Sequence, residues 1–325
     1  LAKVFTGWSW AGPDKSDTRF FGGNASADRA VLPMQSYPKY HSTSEKRFLG
    51  TVIPEQAGAD PEASLRVALD RLFSHPNVGP FIGKQLIQRM VTSNPSPAYV
   101  ARVASAFNDN GSGVRGDMKA VIRAVLLDPE ARSPLPGATD YGKLREPVLR
   151  IAHWLRAFGA QSASGRFLIG NTDNPNSSLG QTPMRSPSVF NFYRPGYVPP
   201  NTDIAAAGLV APEMQITHES SVAGYLNTLR SVISSGIGSG SPRDVQPDYG
   251  EVIGLADRPD ALVDRIGAML IAGEMSPELR AQAVDAVGSV AVSTSNAQSA
   301  ATARLNRVKL AVFLVMASPD YLVQK

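Results

Sequence analysis

The chain has 325 residues, of which 43% are hydrophobic and 18% are charged, so it is long and apolar enough to fold around a sizeable core. The formal net charge is only +4 and no run of five or more like charges occurs, so we expect no nucleic-acid partner. The absence of cysteine excludes disulfides, thiolate zinc sites and cysteine nucleophiles, and only four histidines are present.

Residues 1–58 contain many aromatic side chains but no sustained helical or alternating period, which predicts a loop-rich segment. Trp8 and Trp10 are candidate binding residues in this stretch. The chain starts at Leu1 with no signal peptide, which predicts that further residues precede it and that 1–58 is the N-terminal segment of a longer domain.

Residues 59–160 have the pattern of a helical core. Asp60-Pro61 is typical of an N-cap followed by a proline at the first helical position, and Ser96-Pro97 repeats this signature. Apolar residues recur at helical spacing in five successive segments, which predicts helix-on-helix packing.

Residues 161–211 interrupt the helices with six prolines, five glycines and five asparagines. Their aromatic side chains argue against disorder, so we expect an ordered, irregular segment wrapped on the helical body. Helical spacing resumes over residues 212–325, with residues 234–241 as a flexible Gly/Ser linker.

Together these patterns predict an all-α fold, an irregular multi-helix bundle with long ordered loops rich in proline, glycine and aromatic residues. We expect one continuous domain without a convincing sheet. No stretch approaches the roughly 18 apolar residues that a membrane span requires.

The candidate catalytic residues are His41, Glu45 and Lys46, which lie within six residues of one another, and His75. An imidazole, a carboxylate and an ammonium so close in sequence could do acid–base work, although a turn held by local hydrogen bonds explains the same residues. No two histidines have the spacing of a helical metal motif, so we expect neither a metal site nor a cofactor.

The densest feature of the sequence is the aromatic and basic segment at residues 179–197. Pro183, Pro187 and Pro195 within it, and Pro199 just after it, limit the backbone entropy, which suits a preorganised contact surface. Two interpretations remain open, namely contact with a ligand or partner and plugging of the helical body by the aromatic rings. Its candidate binding residues are Arg185, Phe190, Phe192, Tyr193 and Arg194.

Eight blocks of the sequence are distinctive in their order and wording, namely LAKVFTGW (1–8), HSTSEKRFLG (41–50), HPNVGPFIGKQLIQRMV (75–91), PSPAYVARVASAF (95–107), DMKAVIRAVLLDPEAR (117–132), KLREPV (143–148), LGQTPMRSPSVFNFYRPGY (179–197) and MASPDYLVQK (316–325). In this order they together resemble the bacterial domain of unknown function 1800 family, in its central and C-terminal parts. Members of the family often show His-Asp before the lysine of the second block, whereas Ser42 follows His41 in this chain.

The resemblance implies an exported protein, in the periplasm, at the cell surface or outside the cell, and it implies no reaction. It also implies a possible exported partner resembling the domain of unknown function 1501 family, whose members look like sulfatase- or phosphatase-like proteins. Because the aromatic and basic segment is preorganised and the sequence has no recognisable catalytic constellation, we expect a binding or assembly component at the cell envelope that acts through protein–protein interaction. The alternatives are an envelope hydrolase or polysaccharide-active enzyme, and metal binding without catalysis.

Overall fold

The computed structural model describes residues 1–23, 29, 31–133, 140–273 and 275–325, and half of the structure is helical while 6% is strand. The prediction of a mostly helical fold is confirmed. Within the described residues the α-helices are α1 (Asp17–Phe20), α2 (Pro61–Phe73), α3 (Val78–Met90), α4 (Pro97–Asn108), α5 (Met118–Leu127), α6 (Pro129–Arg132), α7 (Pro147–Ala157), α8 (Asp203–Ala206), α9 (Glu219–Ser235), α10 (Gly250–Ile253), α11 (Pro259–Ile271), α12 (Pro277–Ser289), α13 (Ala297–Ala317) and α14 (Pro319–Leu322). Short 3-10 helices cover Ala2–Phe5, Pro38–Tyr40 and Pro212–Ile216.

Four two-stranded antiparallel sheets accompany the helices, which the sequence did not predict. Their strands are β1 (Trp8–Ser9), β2 (Gln35–Ser36), β3 (Lys46–Phe48), β4 (Thr51–Ile53), β5 (Lys143–Leu144), β6 (Gln161–Ser162), β7 (Val245–Gln246) and β8 (Val323–Gln324). Strands of two or three residues are too short to show an alternating pattern, and three of the four pairs join segments that are distant in sequence.

The helix starts lie where the capping signatures predicted them. The Asp60 carboxylate accepts a hydrogen bond of 2.9 Å from the backbone of Ala63, and the Ser96 hydroxyl accepts one of 3.1 Å from Tyr99. These side chains satisfy backbone donors that the first helical turn leaves without partners. Local chemistry therefore determines where α2 and α4 begin.

The chain forms two compact units, residues 1–82 and 83–325. In the first unit, Val4, Ile53 and Ala68 form a small buried cluster between the first 3-10 helix, β4 and α2. An aromatic group made of Phe20, Phe21, Tyr37 and Tyr40 lies beside α1, with the rings of Phe20 and Tyr40 stacked at 3.9 Å.

A large hydrophobic core of the second unit is built mainly from α7, α9, α11, α12 and α13. Trp154, Leu229, Ile266 and Val312 are fully or almost fully buried there. α13 packs against α9, α11 and α12, so the longest helix is the centre of this bundle. No described helix has both the length and the apolar composition that crossing a membrane would need.

Residues 161–211 contain little regular structure beyond β6 and α8, and they are tied to the helices of the second unit by hydrogen bonds. The Thr228 hydroxyl of α9, for example, donates to the carbonyl of Ser177 at 3.3 Å. The expected flexible linker at residues 234–241 is instead held in place. Ile237 is buried in the core and exchanges backbone hydrogen bonds of 2.9 and 3.0 Å with Val245, because this isoleucine provides an apolar anchor between the glycines.

Candidate functional site

The segment of residues 179–198, called the 179–198 segment below, combines buried anchors with exposed apolar residues. Leu179, Gln181 and Tyr193 are buried, whereas Met184 and Val189 are almost fully exposed. Burial at both ends and exposure in the middle mean that the segment is fastened to the second unit while it presents apolar side chains to solvent.

Four charged side chains, of which three are buried and Arg89 is partly buried, form a network beneath this segment, which we call the buried network. Lys143 and Glu213 form a salt bridge of 3.2 Å, with side chains only 1% and 2% exposed. The Lys143 ammonium also donates to the carbonyl of Arg89 at 2.7 Å, and Arg89 lies 3.6 Å from Glu146. The two cations and two anions balance, as burial of charge requires.

Tyr193 connects the 179–198 segment to this network. The Arg89 guanidinium lies 4.1 Å from the centre of the Tyr193 ring, and the Tyr193 hydroxyl donates a long hydrogen bond of 3.5 Å to Glu213. Burial, and then the nearby carboxylates of Glu146 and Glu213, raise the pKa of Tyr193 far above its usual range. The phenol is therefore a neutral donor and ring platform, not a proton-transfer group at ordinary pH.

Gln181 makes the second connection. Its amide nitrogen donates to the carboxylate of Glu146, and its amide oxygen accepts a hydrogen bond of 3.2 Å from the backbone of Val148 in the first turn of α7. Thr172 holds the same stretch through a 2.6 Å hydrogen bond to the carbonyl of Gln181. The network thus fixes the segment at two places, and the amide of Gln181 gains hydrogen-bond partners that water would otherwise provide.

Three buried polar atoms in and beside this network have no hydrogen-bond partner within the described residues, namely Gln88 Oε1, Arg89 Nη1 and Glu213 Oε2. The cleft that these residues line has a volume of about 10 Å³. That volume is about what one water molecule needs, so the cleft has no room for a substrate. We interpret the network as the structural support of the 179–198 segment.

The exposed part of the segment has a defined backbone. Met184 and Asn191 have φ of 61° and 65°, in the left-handed region that residues other than glycine rarely adopt. Arg185 is paired with Asp173 at 2.7 Å, and the Arg194 guanidinium lies 5.3 Å from the centre of the exposed Phe190 ring. Phe192 is half-buried. The predicted binding residues therefore divide into Tyr193 as an anchor and Arg185, Phe190 and Arg194 as surface groups.

In the first unit, two candidate catalytic residues of the His41 block, His41 and Lys46, are buried, whereas the third, Glu45, faces solvent. The ring nitrogens of His41 contact the Thr6 carbonyl at 2.9 Å and the Ser64 hydroxyl at 3.0 Å. Glu45 is exposed and pairs with Arg47. Because Ser64 is fully buried, the His41–Ser64 contact offers no nucleophile that a substrate could reach.

Lys46 is buried on the same side as His41. Its ammonium donates to the Gln56 amide oxygen at 3.2 Å, and the Ser64 hydroxyl lies 3.5 Å from that same oxygen. Burial, with the charge of Lys3 as a second cause, lowers the pKa of Lys46. No carboxylate lies within ion-pair distance of Lys46 among the described residues.

The remaining candidates of the first unit lie apart from these. His75 is in the turn after α2 and its Nδ1 accepts a hydrogen bond of 3.2 Å from the backbone of Asn77. Trp10 is exposed, with the guanidinium of Arg29 5.1 Å from its ring centre, whereas Trp8 is half-buried and its indole N–H has no partner in the described part of the chain.

Sequence reasoning did not single out Arg89, Lys143, Glu146 or Glu213. Each is one charged residue in an otherwise unremarkable stretch, and their pairing depends on tertiary contacts. A usable signal did exist, because Arg89, Lys143 and Glu146 all lie inside the sequence blocks that carry the family resemblance. Within the ranges that the structure describes, no group of three or more metal-ligating side chains comes together.

Comparison with known proteins gives one result. A family model described as protein of unknown function (DUF1800) matches residues 1–323, which is nearly the whole chain and not only a central and C-terminal portion. No curated protein and no solved structure matches the chain significantly. The sequence blocks that support the buried network thus lie within the matched range, and the chain belongs to the DUF1800 family.

Proposed function

We propose that this protein is a binding or assembly component that contacts another protein through the exposed part of the 179–198 segment. The observation that carries the proposal is that Met184, Val189 and Phe190 are exposed on a segment that Gln181 and Tyr193 fasten to buried charges. Exposed apolar side chains on an ordered support are typical of a protein contact surface.

The left-handed backbone at Met184 supports this interpretation. A non-glycine residue in that region costs of order 1 kcal/mol or more, and the Met184 side chain recovers nothing by packing because it is fully exposed. A partner that covers this side chain would gain the hydrophobic contact without ordering the backbone first.

The charges around the patch indicate the chemistry of the partner. Arg194 has no carboxylate within ion-pair distance among the described residues, and Arg185 pairs with Asp173 at the protein surface. The matching surface would have an apolar centre with acidic groups at its rim. As the partner we propose an exported protein of the domain of unknown function 1501 family, with both proteins located at the cell envelope.

The hydrolase alternative has less support from the geometry. His41 and Lys46 contact neutral groups inside the first unit, and Glu45 faces solvent. A general acid–base pair needs a reachable proton donor or acceptor in a cleft that admits substrate. We therefore retain the binding function as the conclusion.

The test is a binding measurement between the two purified proteins. The variant carries Met184→Ser, Val189→Ser and Phe190→Ser, and the matched control carries Val114→Ser and Val222→Ser, two exposed apolar residues elsewhere in the second unit. We expect the variant to lose about tenfold or more in affinity, because buried anchors dominate protein interfaces. The control should bind as the wild type does.

Two outcomes would overturn the proposal. One is unchanged affinity of the triple variant when its unfolding curve equals that of the wild type. The other is sedimentation of an equimolar mixture as two separate species, together with isolation of the native protein as a monomer without a co-purifying chain.

A further inference from the structure

A cavity of about 440 Å³ lies in the second unit between α7, the C-terminal end of α11 and the segment that contains α14 and β8. Its lining includes Arg145, His153, Met269, Asp320, Val323 and Lys325. The volume is within the range of small-molecule sites, and it is far larger than the water-sized cleft of the buried network.

Arg145 is held rigidly at this cavity. Its guanidinium lies 4.7 Å from the centre of the Tyr321 ring, and its Nη1 donates to His153 Nδ1 at 3.1 Å and to the Leu270 carbonyl at 3.4 Å. The backbone N–H of Arg145 also donates to the Leu322 carbonyl at 2.8 Å. Arg145 therefore also has a structural role, because its positive charge lies at the C-terminal end of α11. The helix dipole makes a cation favourable there.

That structural role uses only one edge of the guanidinium. Nη1 has two acceptors, and the Tyr321 hydroxyl also lies close enough to the guanidinium for a weak hydrogen bond. No carboxylate or carbonyl of the described residues accepts a hydrogen bond from Nε or Nη2. Nε and Nη2 form the parallel pair of donors that binds a carboxylate with two hydrogen bonds. No carboxylate of the described residues lies within ion-pair distance of Arg145.

The other charged groups of the lining limit the ligand further. Arg145 and Lys325 are cationic, and Asp320 is anionic with one oxygen accepting a hydrogen bond of 2.9 Å from the backbone of Ser276. His153 is an acceptor toward Arg145 and so is neutral in this arrangement. Among the described residues, the side chains of the lining therefore carry one net positive charge, which favours a monoanion over a dianion.

We propose that this cavity binds a small monoanionic carboxylate with a short apolar body, through the Nε and Nη2 edge of Arg145. Met269 and Val323 provide apolar surface for the body of the ligand. This site is separate from the 179–198 segment and does not depend on the proposed protein partner.

The test uses benzoate and butyrate as probes, with benzamide and butyramide as neutral counterparts of the same shape, in calorimetric titrations of the intact protein. We expect saturable binding of one carboxylate probe per chain at millimolar concentration or below, and about tenfold weaker or no binding of the amides. Saturation by neither carboxylate up to ~10 mM, or equal binding of the amides, overturns the proposal.

Two variants locate the site. Arg145→Lys keeps the charge but loses the two-pronged donor edge, and it should weaken the carboxylates by about tenfold. Met269→Trp reduces the cavity without touching the guanidinium and should also abolish binding, which keeps the proposal testable if the first variant does not fold.

Arg156→Lys, at an exposed position on the same helix α7, is the control and should bind as the wild type does. Unchanged binding in either folded site variant would place the ligand elsewhere and overturn the proposal.

Discussion

Lys143 and Glu213 form a salt bridge of 3.2 Å that is almost completely removed from solvent, and this pair fastens β5 to the 3-10 helix at Pro212–Ile216. Burial of two charges is costly unless each keeps its partner. Lys143 has two acceptors, Glu213 and the Arg89 carbonyl, whereas Glu213 retains an oxygen without a partner in the described part of the chain. The free energy of unfolding should therefore fall much more when one member of the pair is replaced than when both are replaced.

Lys143→Met should destabilise the protein by about 3–5 kcal/mol, because it leaves the Glu213 carboxylate buried and unpaired. The double variant Lys143→Met with Glu213→Leu should recover most of that loss, since it removes both charges. Urea unfolding of the two variants measures the difference. Equal losses in the single and double variants would contradict the role that we assign to the pair.

The exposed pair of Arg280 and Asp264, at 2.6 Å, is the control for this experiment. Both side chains are about half exposed, so Arg280→Met should leave the free energy of unfolding nearly unchanged.

Gly224→Ala should destabilise the protein by about 1–3 kcal/mol. Gly224 lies in α9, and a Cβ atom there would overlap the backbone carbonyl of Pro175 in the irregular segment, which cannot move aside as a flexible side chain could. Gly288→Ala in α12 is the matched control, because its Cβ would make only an ordinary contact of 3.9 Å with Pro259. This control should gain up to about 1 kcal/mol of stability, because alanine favours a helix more than glycine does. A Gly224→Ala variant as stable as the control would disprove the close contact.

The stability of the protein should fall as the pH drops from about 7 toward 5, because of His153. Burial, and then the charge of Arg145, lower the pKa of His153 in the folded state. The unfolded chain therefore binds a proton at a pH where the folded protein does not, and stability rises with pH in that interval. His153→Gln should reduce this slope in unfolding curves measured across the interval, and an unchanged slope would show that other groups cause it.

Arg102→Met should cost stability near neutral pH and much less in acid. Arg102 makes two hydrogen bonds of 2.7 and 2.8 Å to the Asp128 carboxylate, and these hold the pKa of that carboxylate below its usual range. The stabilising effect is present above the ordinary pKa of about 3.9 and is lost as the pH falls through the lower folded value. Unfolding of variant and wild type at neutral and acid pH should show the two converging, whereas the exposed control Lys84→Met should show no such convergence.

Much of the fold followed from the sequence. The starts of α2 and α4 could be predicted because an N-cap, a proline and an apolar stripe act within a few residues of one another. The short sheets could not, since a pair such as β5 with β8 joins distant parts of the chain through only two residues of each.

The candidate site divides in the same way. Composition and spacing identified residues 179–197 as the segment with contact potential, because prolines, aromatic rings and arginines are visible without a structure. They did not show that Tyr193 is buried while Phe190 is exposed, or that Arg145 lies beside His153 at the lining of a cavity. Helix positions and capping were determined by the sequence alone, since those interactions are local. Which side chains are buried, paired or left open was decided by the tertiary structure, because charge pairing and solvent exclusion depend on segments that are far apart in the chain.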